Sequence, residues 1–145
     1  MDGFYGEYRH IMDAKGRVSL PAKFRKVLPE SLVVVPSPNK EFLSLNVFTE
    51  EGFSIWKEAI FNRDGGYQAD NIQHVELRMK YNSSAMQVDV DSAGRINIPP
   101  ELREHASLAK NVVIVGDEDH ICVWDELTWD EYKSHLKSKS IFTRE

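Results

Sequence analysis

Apolar and polar residues alternate in two short segments of the chain, residues 17–20 and 95–98. An alternation with a period of two is typical of a strand that buries one face, because successive side chains of a strand point to opposite sides. Val18 and Leu20 are therefore expected to face a core, whereas Arg17 is expected to face outward. Each segment follows an aspartate and a glycine that suit a tight turn, which predicts a hairpin at both places.

Longer apolar runs predict a pair of strands after each alternating segment. The runs at residues 32–35 and 111–115 are typical of buried strands. Further strands are predicted at 42–48 and 121–124. Because no strand of this kind is long enough to stand alone, we expect all of them to share one core.

Helical spacing of apolar residues predicts five helices, over residues 22–28, 50–61, 70–81, 101–106 and 126–137. The two short helices follow Pro21 and Pro99, since proline suits the first turn of a helix, where its missing N–H is not needed. In the helix over 70–81, Ile72, Val75 and Met79 lie on one side, and the helix is expected to bridge to the second hairpin.

The same elements occur twice in the same order. The two matching blocks, displaced by 78 residues, are Asp13-Ala14-Lys15-Gly16-Arg17 with Pro21 and Arg25, and Asp91-Ser92-Ala93-Gly94-Arg95 with Pro99 and Arg103. A unit too small to bury a core alone can complete one against its own copy. We therefore predict repeats at 1–61 and 82–145, a connecting loop and helix at 62–81, and a fold that is mainly β with peripheral helices, arranged as one small β-barrel built by both repeats.

Composition narrows the class of protein. With 145 residues, 41% apolar and 28% charged, the chain should form a compact globular domain. It has no apolar run of about 18 residues and no signal-peptide pattern, so we expect a cytoplasmic protein without a membrane partner. The single cysteine, Cys122, lies in an apolar segment and is expected to be a small core residue.

Charge is distributed unevenly between the two repeats. The net charge of −5 argues mildly against nucleic acid as a partner. Residues 13–26, however, carry five basic side chains and one acid, a net charge of +4, whereas the matching residues 91–104 have a net charge of −1. The two copies thus share a pattern of residues but not a charge.

Candidates for enzyme chemistry are few. The five histidines show no metal-ligand spacing along the chain, so we expect none of them to have a catalytic or zinc-binding role, and no cofactor is expected. Asp89 and Asp91 share one strand face, which leaves open a divalent-ion site or a small hydrolase. No nucleophile motif or glycine-rich phosphate loop accompanies them, which favours a protein that is not an enzyme.

The paired blocks closely resemble the MraZ family of bacterial proteins, together with Phe4 and Gly6 near the start and Val123-Trp124-Asp125 near the end. This resemblance implies two tandem swapped-hairpin elements that form an AbrB-like barrel within one chain. It also implies a DNA-binding transcriptional regulator that recognises short direct repeats of promoter DNA upstream of the division and cell wall gene cluster, including its own operon, and that assembles into rings, commonly of eight. An antitoxin-like protein-interaction module of the same fold is the alternative.

The resemblance assigns roles residue by residue. The family's Asp-x-x-x-Arg element falls on Asp13 with Arg17 and on Asp91 with Arg95. Our hypothesis is that Arg17 reads a guanine, with Arg95 contributing less, because bidentate contacts of arginine to guanine are common in the major groove. The proposed phosphate contacts are Lys15, Lys23, Arg25 and Lys26, and the turn supports are Asp13, Gly16, Asp91 and Gly94. The alternative for Arg17 is a purely structural ion pair with Asp13.

Overall fold

The computed structural model of the protein describes residues 3–139. The first copy consists of β1 (Glu7–Ile11), β2 (Arg17–Ser19), α1 (Ala22–Arg25), β3 (Ser31–Pro36), β4 (Leu45–Phe48) and α2 (Glu50–Asn62). After α3 (Ile72–Ser84), the second copy consists of β5 (Met86–Asp89), β6 (Arg95–Asn97), α4 (Pro100–His105), β7 (Asn111–Gly116), β8 (Ile121–Asp125) and α5 (Glu126–Ser138). The predicted strands and helices are all found with shifted ends; residues 1–2 and 140–145 of the predicted repeats lie outside the described residues.

Six strands form one antiparallel sheet in the order β1-β7-β8-β4-β3-β5. When each strand is replaced by its equivalent in the other copy, the result is the same order of strands counted from the opposite edge of the sheet. The two copies are therefore related by an approximate two-fold axis. The β4–β8 pair lies at the centre, where Asn46 is opposite Cys122. The sheet is open, because its edge strands β1 and β5 do not pair with each other within residues 3–139.

The two remaining strands form a separate antiparallel ribbon, in which β2 pairs with β6. Each predicted hairpin is present at its tip, where the Asp13 N–H donates to the Arg17 carbonyl at 3.0 Å and the Asp91 N–H donates to the Arg95 carbonyl at 2.9 Å. Beyond the tips, and apart from one bridge between Val90 and Ile96, the arms separate and pair with strands of the other copy. The prediction of self-paired hairpins is therefore wrong for the arms.

The ribbon covers one face of the sheet. Its apolar residues Val18, Leu20, Ile96 and Ile98 are at most 3% exposed and belong to one cluster with residues of the sheet such as Ile114. Burial of this much apolar surface is the main term that favours the folded chain. The alternation in the sequence therefore predicted the buried and outward faces of the ribbon correctly.

The longer helices cover the opposite face. Phe53 of α2 packs with β3 and β4, and Trp129 of α5 packs with β7 and β8. Both helices begin at capping side chains, since Thr49 accepts from the Gly52 N–H at 2.9 Å and Asp125 accepts from the Leu127 N–H at 3.1 Å. Within residues 3–139, no helix combines the length and apolar character needed to cross a bilayer.

The side of α3 that carries Ile72 and Met79 is not its buried side. Ile72 and Met79 are 66% and 63% exposed, and the buried residue is His74. The imidazole of His74 accepts from the Gln68 N–H at 3.0 Å through Nδ1 and lies 3.0 Å from Oδ2 of Asp64 through Nε2. Because both ring nitrogens have partners, burying this histidine leaves no polar atom of the ring unsatisfied.

Candidate nucleic-acid interface

Asp13 organises the first turn through both oxygens of its carboxylate. Oδ1 accepts from the backbone N–H of Lys15 at 3.0 Å and from that of Arg17 at 2.9 Å, and Oδ2 accepts from Nε of Arg17 at 2.6 Å. Gly16 adopts a φ of 85° and donates to the Asp13 carbonyl at 3.0 Å. A side chain is strained at such a positive φ, which explains the glycine.

The second turn repeats this geometry. Asp91 Oδ1 accepts from the backbone N–H groups of Ala93 and Arg95, both at 2.9 Å, and Oδ2 accepts from Nε of Arg95 at 2.9 Å. Gly94 has a φ of 77°. The predicted turn supports Asp13, Gly16, Asp91 and Gly94 thus occupy equivalent places.

Hydrogen bonds stabilise the ionised form of both aspartates. The backbone N–H of Arg17, followed by its guanidinium, lowers the pKa of Asp13 below its usual range. The backbone N–H of Arg95, followed by its guanidinium, lowers the pKa of Asp91 in the same way. Both carboxylates therefore stay negative at neutral pH and hold an arginine at the exit of the turn.

The two arginines lie on the outward face of the ribbon. Arg17 is opposite Asn97 and Arg95 is opposite Ser19, so the two arginines are diagonal neighbours across the two strands. The Cα atoms of diagonal neighbours are roughly 7 to 8 Å apart. Their side chains are 32% and 34% exposed. Each ion pair uses Nε, and the terminal nitrogens of both guanidinium groups make no hydrogen bond within residues 3–139. Arg17 therefore forms an ion pair with Asp13 through Nε. Its two terminal nitrogens, which form the edge that could donate to a base, remain available.

Two further arginines brace the turns across the copies. A Cβ built on Gly94 would clash with the guanidinium of Arg25, and one built on Gly16 would lie 2.7 Å from Cζ of Arg103. Each guanidinium therefore covers the turn of the other copy, while the positive φ is what requires a glycine at each position. This role was not predicted from the sequence, although the matched positions of Arg25 and Arg103 were a signal of it.

The predicted phosphate contacts surround the first arginine in sequence and are solvent-exposed. Lys15 lies at the tip of the turn, and Lys23 and Lys26 lie in and just after α1. The equivalent positions of the second copy, 78 residues further on, are Ala93, Glu101 and Glu104, which are also exposed. The structure therefore presents two turns of one shape within opposite electrostatic surroundings.

The rival carboxylate site is not assembled. Both oxygens of Asp91 already accept hydrogen bonds from the turn, so this carboxylate is a poor candidate for an ion ligand or a general base. Donor atoms converge elsewhere: Asp117, His120 and Cys122 place their ligand atoms within 4.8 Å of one another. The prediction that none of the five histidines has a zinc-binding role stays a prediction, and His120 is the histidine that lies in such a group of donor atoms. Burial raises the pKa of the Cys122 thiol to about 12, consistent with the predicted core position.

The fold and the site define a duplicated β protein that presents two carboxylate-held arginines on one ribbon. Matching the chain with known families agrees with this description, since the family described as "MraZ protein, putative antitoxin-like" matches residues 4–79 and 82–145. The chain belongs to the MraZ family. The match in two segments coincides with the internal duplication.

Curated relatives carry the name Transcriptional regulator MraZ. The protein of Lachnoclostridium phytofermentans is 37% identical over 127 residues, which cover 88% of this chain and 84% of the relative. That of Acetivibrio thermocellus is 36% identical over 140 residues, with coverage of 95% and 93%. That of Alkaliphilus oremlandii is 34% identical over 131 residues, with coverage of 90% and 87%. These names agree with the predicted non-enzymatic class.

Proposed function

We propose that this chain is a sequence-specific DNA-binding transcriptional regulator. Its targets are short direct repeats of double-stranded promoter DNA upstream of the division and cell wall gene cluster, including its own operon, and it acts in the cytoplasm at the nucleoid. The observation that carries the proposal is the pair of outward arginines, Arg17 and Arg95, on a two-stranded ribbon. A ribbon of this width fits the major groove of B-DNA.

Arg17 is assigned to base recognition. Asp13 holds its Nε and orients the guanidinium, while the two terminal nitrogens remain able to donate to O6 and N7 of a guanine. A side chain held in place by a neighbour loses less conformational freedom when it binds, which favours a specific contact. Arg95 has the same geometry and is assigned a weaker contact of the same kind, because acids surround it.

Phosphate contacts are assigned to Lys15, Lys23 and Lys26, with Arg25 as a residue that also braces Gly94. Contacts to phosphates position a protein on the duplex without reading sequence, and they release counterions, which makes affinity depend on salt. Exposure of the three lysines supports this role. Arg25 is also on the exposed surface, so its contact with the second turn does not withdraw it from solvent.

We infer that several copies act together in a ring of about eight. One chain offers few phosphate contacts, and repeated half-sites bound by linked copies gain affinity through effective concentration. Exposed large apolar residues support contacts between copies, among them Ile11, Ile55 and Leu127, at 64%, 55% and 72% exposure. Native mass spectrometry of the full chain is expected to give one closed oligomer, and a monomer at micromolar concentration would contradict the ring.

We also infer that the ribbon and the sheet together make the AbrB-like barrel that the resemblance implies. Support comes from their common core, in which Val18 and Ile96 of the ribbon cluster with Leu32 and Val112 of the sheet. This interpretation keeps residues 1–61 and 82–145 as the two repeats, with residues 62–81 between them.

The test is a salt-dependent binding assay on the promoter of the chain's own operon beside a scrambled duplex of equal length. We expect a preference for the promoter and a steep loss of affinity with salt. Arg17→Ala should reduce the preference, whereas Lys26→Ala should weaken binding to both duplexes alike. Arg63→Ala, in the turn after α2, is the matched control and should change neither quantity.

Equal affinity of the parent protein for both duplexes would overturn sequence-specific regulation. An antitoxin-like protein-interaction module is the second candidate function, because the matched family is described as "antitoxin-like". A module that acts only by capturing a protein partner should bind the two duplexes equally weakly, so the same assay separates the candidates.

A further inference from the structure

A group of polar residues lies at the centre of the sheet, on the face opposite the ribbon. Ser44, Asn46 and His120 are 1%, 5% and 8% exposed, and the 9% exposed Cys122 lies among them. A cleft of about 460 Å³ opens beside them, lined by Asp117 and by aromatic side chains that include Trp56 of α2 and Trp129 of α5. Polar groups are costly to bury without partners, and here the thiol of Cys122 donates to Oδ1 of Asn46 at 3.3 Å.

The group is asymmetric although the sheet is not. Around the β4–β8 pair the two copies match with a displacement of 76 residues, which relates Val47 to Val123. At the preceding matched positions the first copy has Ser44 and Asn46, and the second has His120 and Cys122. The second copy therefore has histidine and cysteine, which are strong ligands of transition metals, where the first copy has serine and asparagine, which are weak ligands.

Three donor atoms of the second copy converge. His120 Nε2 lies 3.7 Å from Cys122 Sγ and 3.6 Å from Asp117 Oδ2. Around a tetrahedral zinc ion with bonds of about 2.3 Å to sulfur and about 2.0 Å to nitrogen and oxygen, the corresponding separations are about 3.5 Å and about 3.3 Å. The two distances from His120 thus need only small adjustments to enclose one ion, and the remaining pair, Asp117 and Cys122, places its ligand atoms within 4.8 Å of each other.

The imidazole is oriented for such a role. His120 Nδ1 lies 2.7 Å from Oδ1 of Asp119, which leaves Nε2 facing the thiol and the second carboxylate. The ring also stacks on Phe48, with centroids 4.7 Å apart. A carboxylate that accepts from the far nitrogen of a ligating histidine fixes the ring and raises its basicity, a common arrangement around zinc.

We propose that Asp117, His120 and Cys122 bind one divalent transition ion of the zinc class, with its fourth position open to the cleft. A mixed set of thiolate, imidazole and carboxylate favours zinc over magnesium or calcium, which prefer oxygen ligands only. When Sγ binds the ion, the thiol proton leaves to solvent. The site lies on the helix-covered face, away from the ribbon, so it is separate from the proposed DNA contacts.

Cobalt is the probe, because a cobalt–thiolate bond gives a charge-transfer absorption band that zinc cannot give. Titration of the metal-free full chain with Co²⁺ under reducing conditions is expected to produce this band with a stoichiometry of one ion per chain. Added Zn²⁺ should remove the band by displacing cobalt, since zinc binds such sites more tightly than cobalt. Zn²⁺ should also raise Tm, as any ligand of the folded state does.

Four variants define the site. Cys122→Ser should abolish the band, and His120→Gln and Asp117→Asn should weaken binding at least tenfold. Asp119→Ala should weaken it about tenfold through the orientation of His120. Because Asp117 is 68% exposed, its variant tests the site without disturbing the core. The matched control is His74→Gln, which alters the other buried histidine that lies beside an aspartate, and it should retain the band.

Absence of the band in the folded parent protein would overturn the proposal, as would an unchanged cobalt affinity in Asp117→Asn. Promoter binding by Asp117→Asn is expected to match the parent, because the ribbon is on the other face. Loss of cobalt binding with intact DNA binding, or the reverse, would therefore separate this inference from the proposed function.

Discussion

The two turns of the ribbon have nearly the same geometry and opposite surroundings. In both, an aspartate accepts from two backbone N–H groups and from the Nε of an arginine, and a glycine takes a positive φ. Around the first turn the neighbouring positions are lysines, and around the second they are alanine and glutamates. Duplication has therefore preserved the local structure of the turn while the charge of the two copies has diverged.

This difference shows that the shape of each turn and the charge around it are set by different residues. The aspartate, the glycine and the arginine fix the turn through short hydrogen bonds, which do not depend on exposed neighbours. The neighbours set the electrostatic potential around each turn, and a potential of this kind acts on the affinity and association rate for a charged partner more than on the fold. Giving one turn the charged neighbours of the other should therefore change the charge of that copy and leave the structure of the turn unchanged.

The largest expected effect comes from giving the first copy the charge of the second. The triple variant Lys15→Ala, Lys23→Glu and Lys26→Glu should weaken promoter binding roughly a hundredfold or more, and the slope of log K against log salt should become shallower by about 3. All three positions are exposed, so the free energy of unfolding should change little. Filter binding or fluorescence anisotropy over a salt series measures both quantities.

The reciprocal variant sharpens the same comparison. Ala93→Lys, Glu101→Lys and Glu104→Lys give the second copy the residues of the first. Affinity for the promoter should rise and the salt slope should steepen, since new phosphate contacts release more counterions. An unchanged slope in both triple variants would mean that these faces do not meet DNA.

The arginines are the next test. Arg17→Ala should cost about 1 to 3 kcal/mol of discrimination between the promoter and a promoter with substituted bases. Arg95→Ala should cost less, because the acids beside it keep its side chain further from the duplex. Competition binding with single-base variants of the promoter measures the difference, and equal losses at the two arginines would refute the asymmetry.

The aspartates distinguish orientation from charge. Asp13→Asn removes a negative charge from the proposed interface, so a purely electrostatic effect should raise affinity. We expect a fall of about tenfold instead, because Arg17 loses the carboxylate that orients it, and a smaller fall for Asp91→Asn. Titration of the same promoter with both variants checks the sign, and tighter binding by Asp13→Asn would show that orientation is unimportant.

Acid should act on the two turns in the same direction. Since the folded-state pKa of both aspartates is lowered, their contribution to stability is complete above the usual value near 3.8 and is lost as pH falls through the lowered pKa. The protection factors of the Arg17 and Arg95 amides, which remove the intrinsic pH dependence of hydrogen exchange, should therefore fall only below about pH 4. The Asp13→Asn variant should lose this dependence at the first turn alone.

The smallest effect expected is on the cross-copy braces. Gly94→Ala should cost about 1 to 2 kcal/mol of unfolding free energy from its positive φ, with a further loss from the clash with Arg25. In Gly16→Ala the contact of the new methyl group with Arg103 should cost less unfolding free energy, because Arg103 lies further from the Cβ position of Gly16 than Arg25 does from that of Gly94. Denaturant unfolding of Gly94→Ala, Arg25→Ala and the double variant measures the coupling. A coupling of zero would mean that Arg25 moves aside without cost.

Much of the site was predictable because its signals are local. The alternation of Arg17 to Leu20 marked the outward arginine, and the Asp–Gly pair marked the turn, since both depend on residues that are neighbours in sequence. The role of Arg25 was not predictable in the same way, because its partner Gly94 belongs to the other copy. The donor group around His120 was not predictable from the spacing of histidines, because its other donors are one cysteine and one aspartate.

By itself, the sequence determined the duplication, the order of strands and helices, the apolar face of the ribbon and the chemistry of each turn, because these follow from periodicity and from hydrogen bonds within about five residues. Only the tertiary structure decided which strand each arm pairs with, which side of α3 is buried and which side chains of one copy cover the other. These features depend on burial, and on hydrogen-bond partners for buried polar groups, across the whole core. On α3, His74 has a partner for each ring nitrogen and is buried, whereas Ile72 and Met79 are exposed.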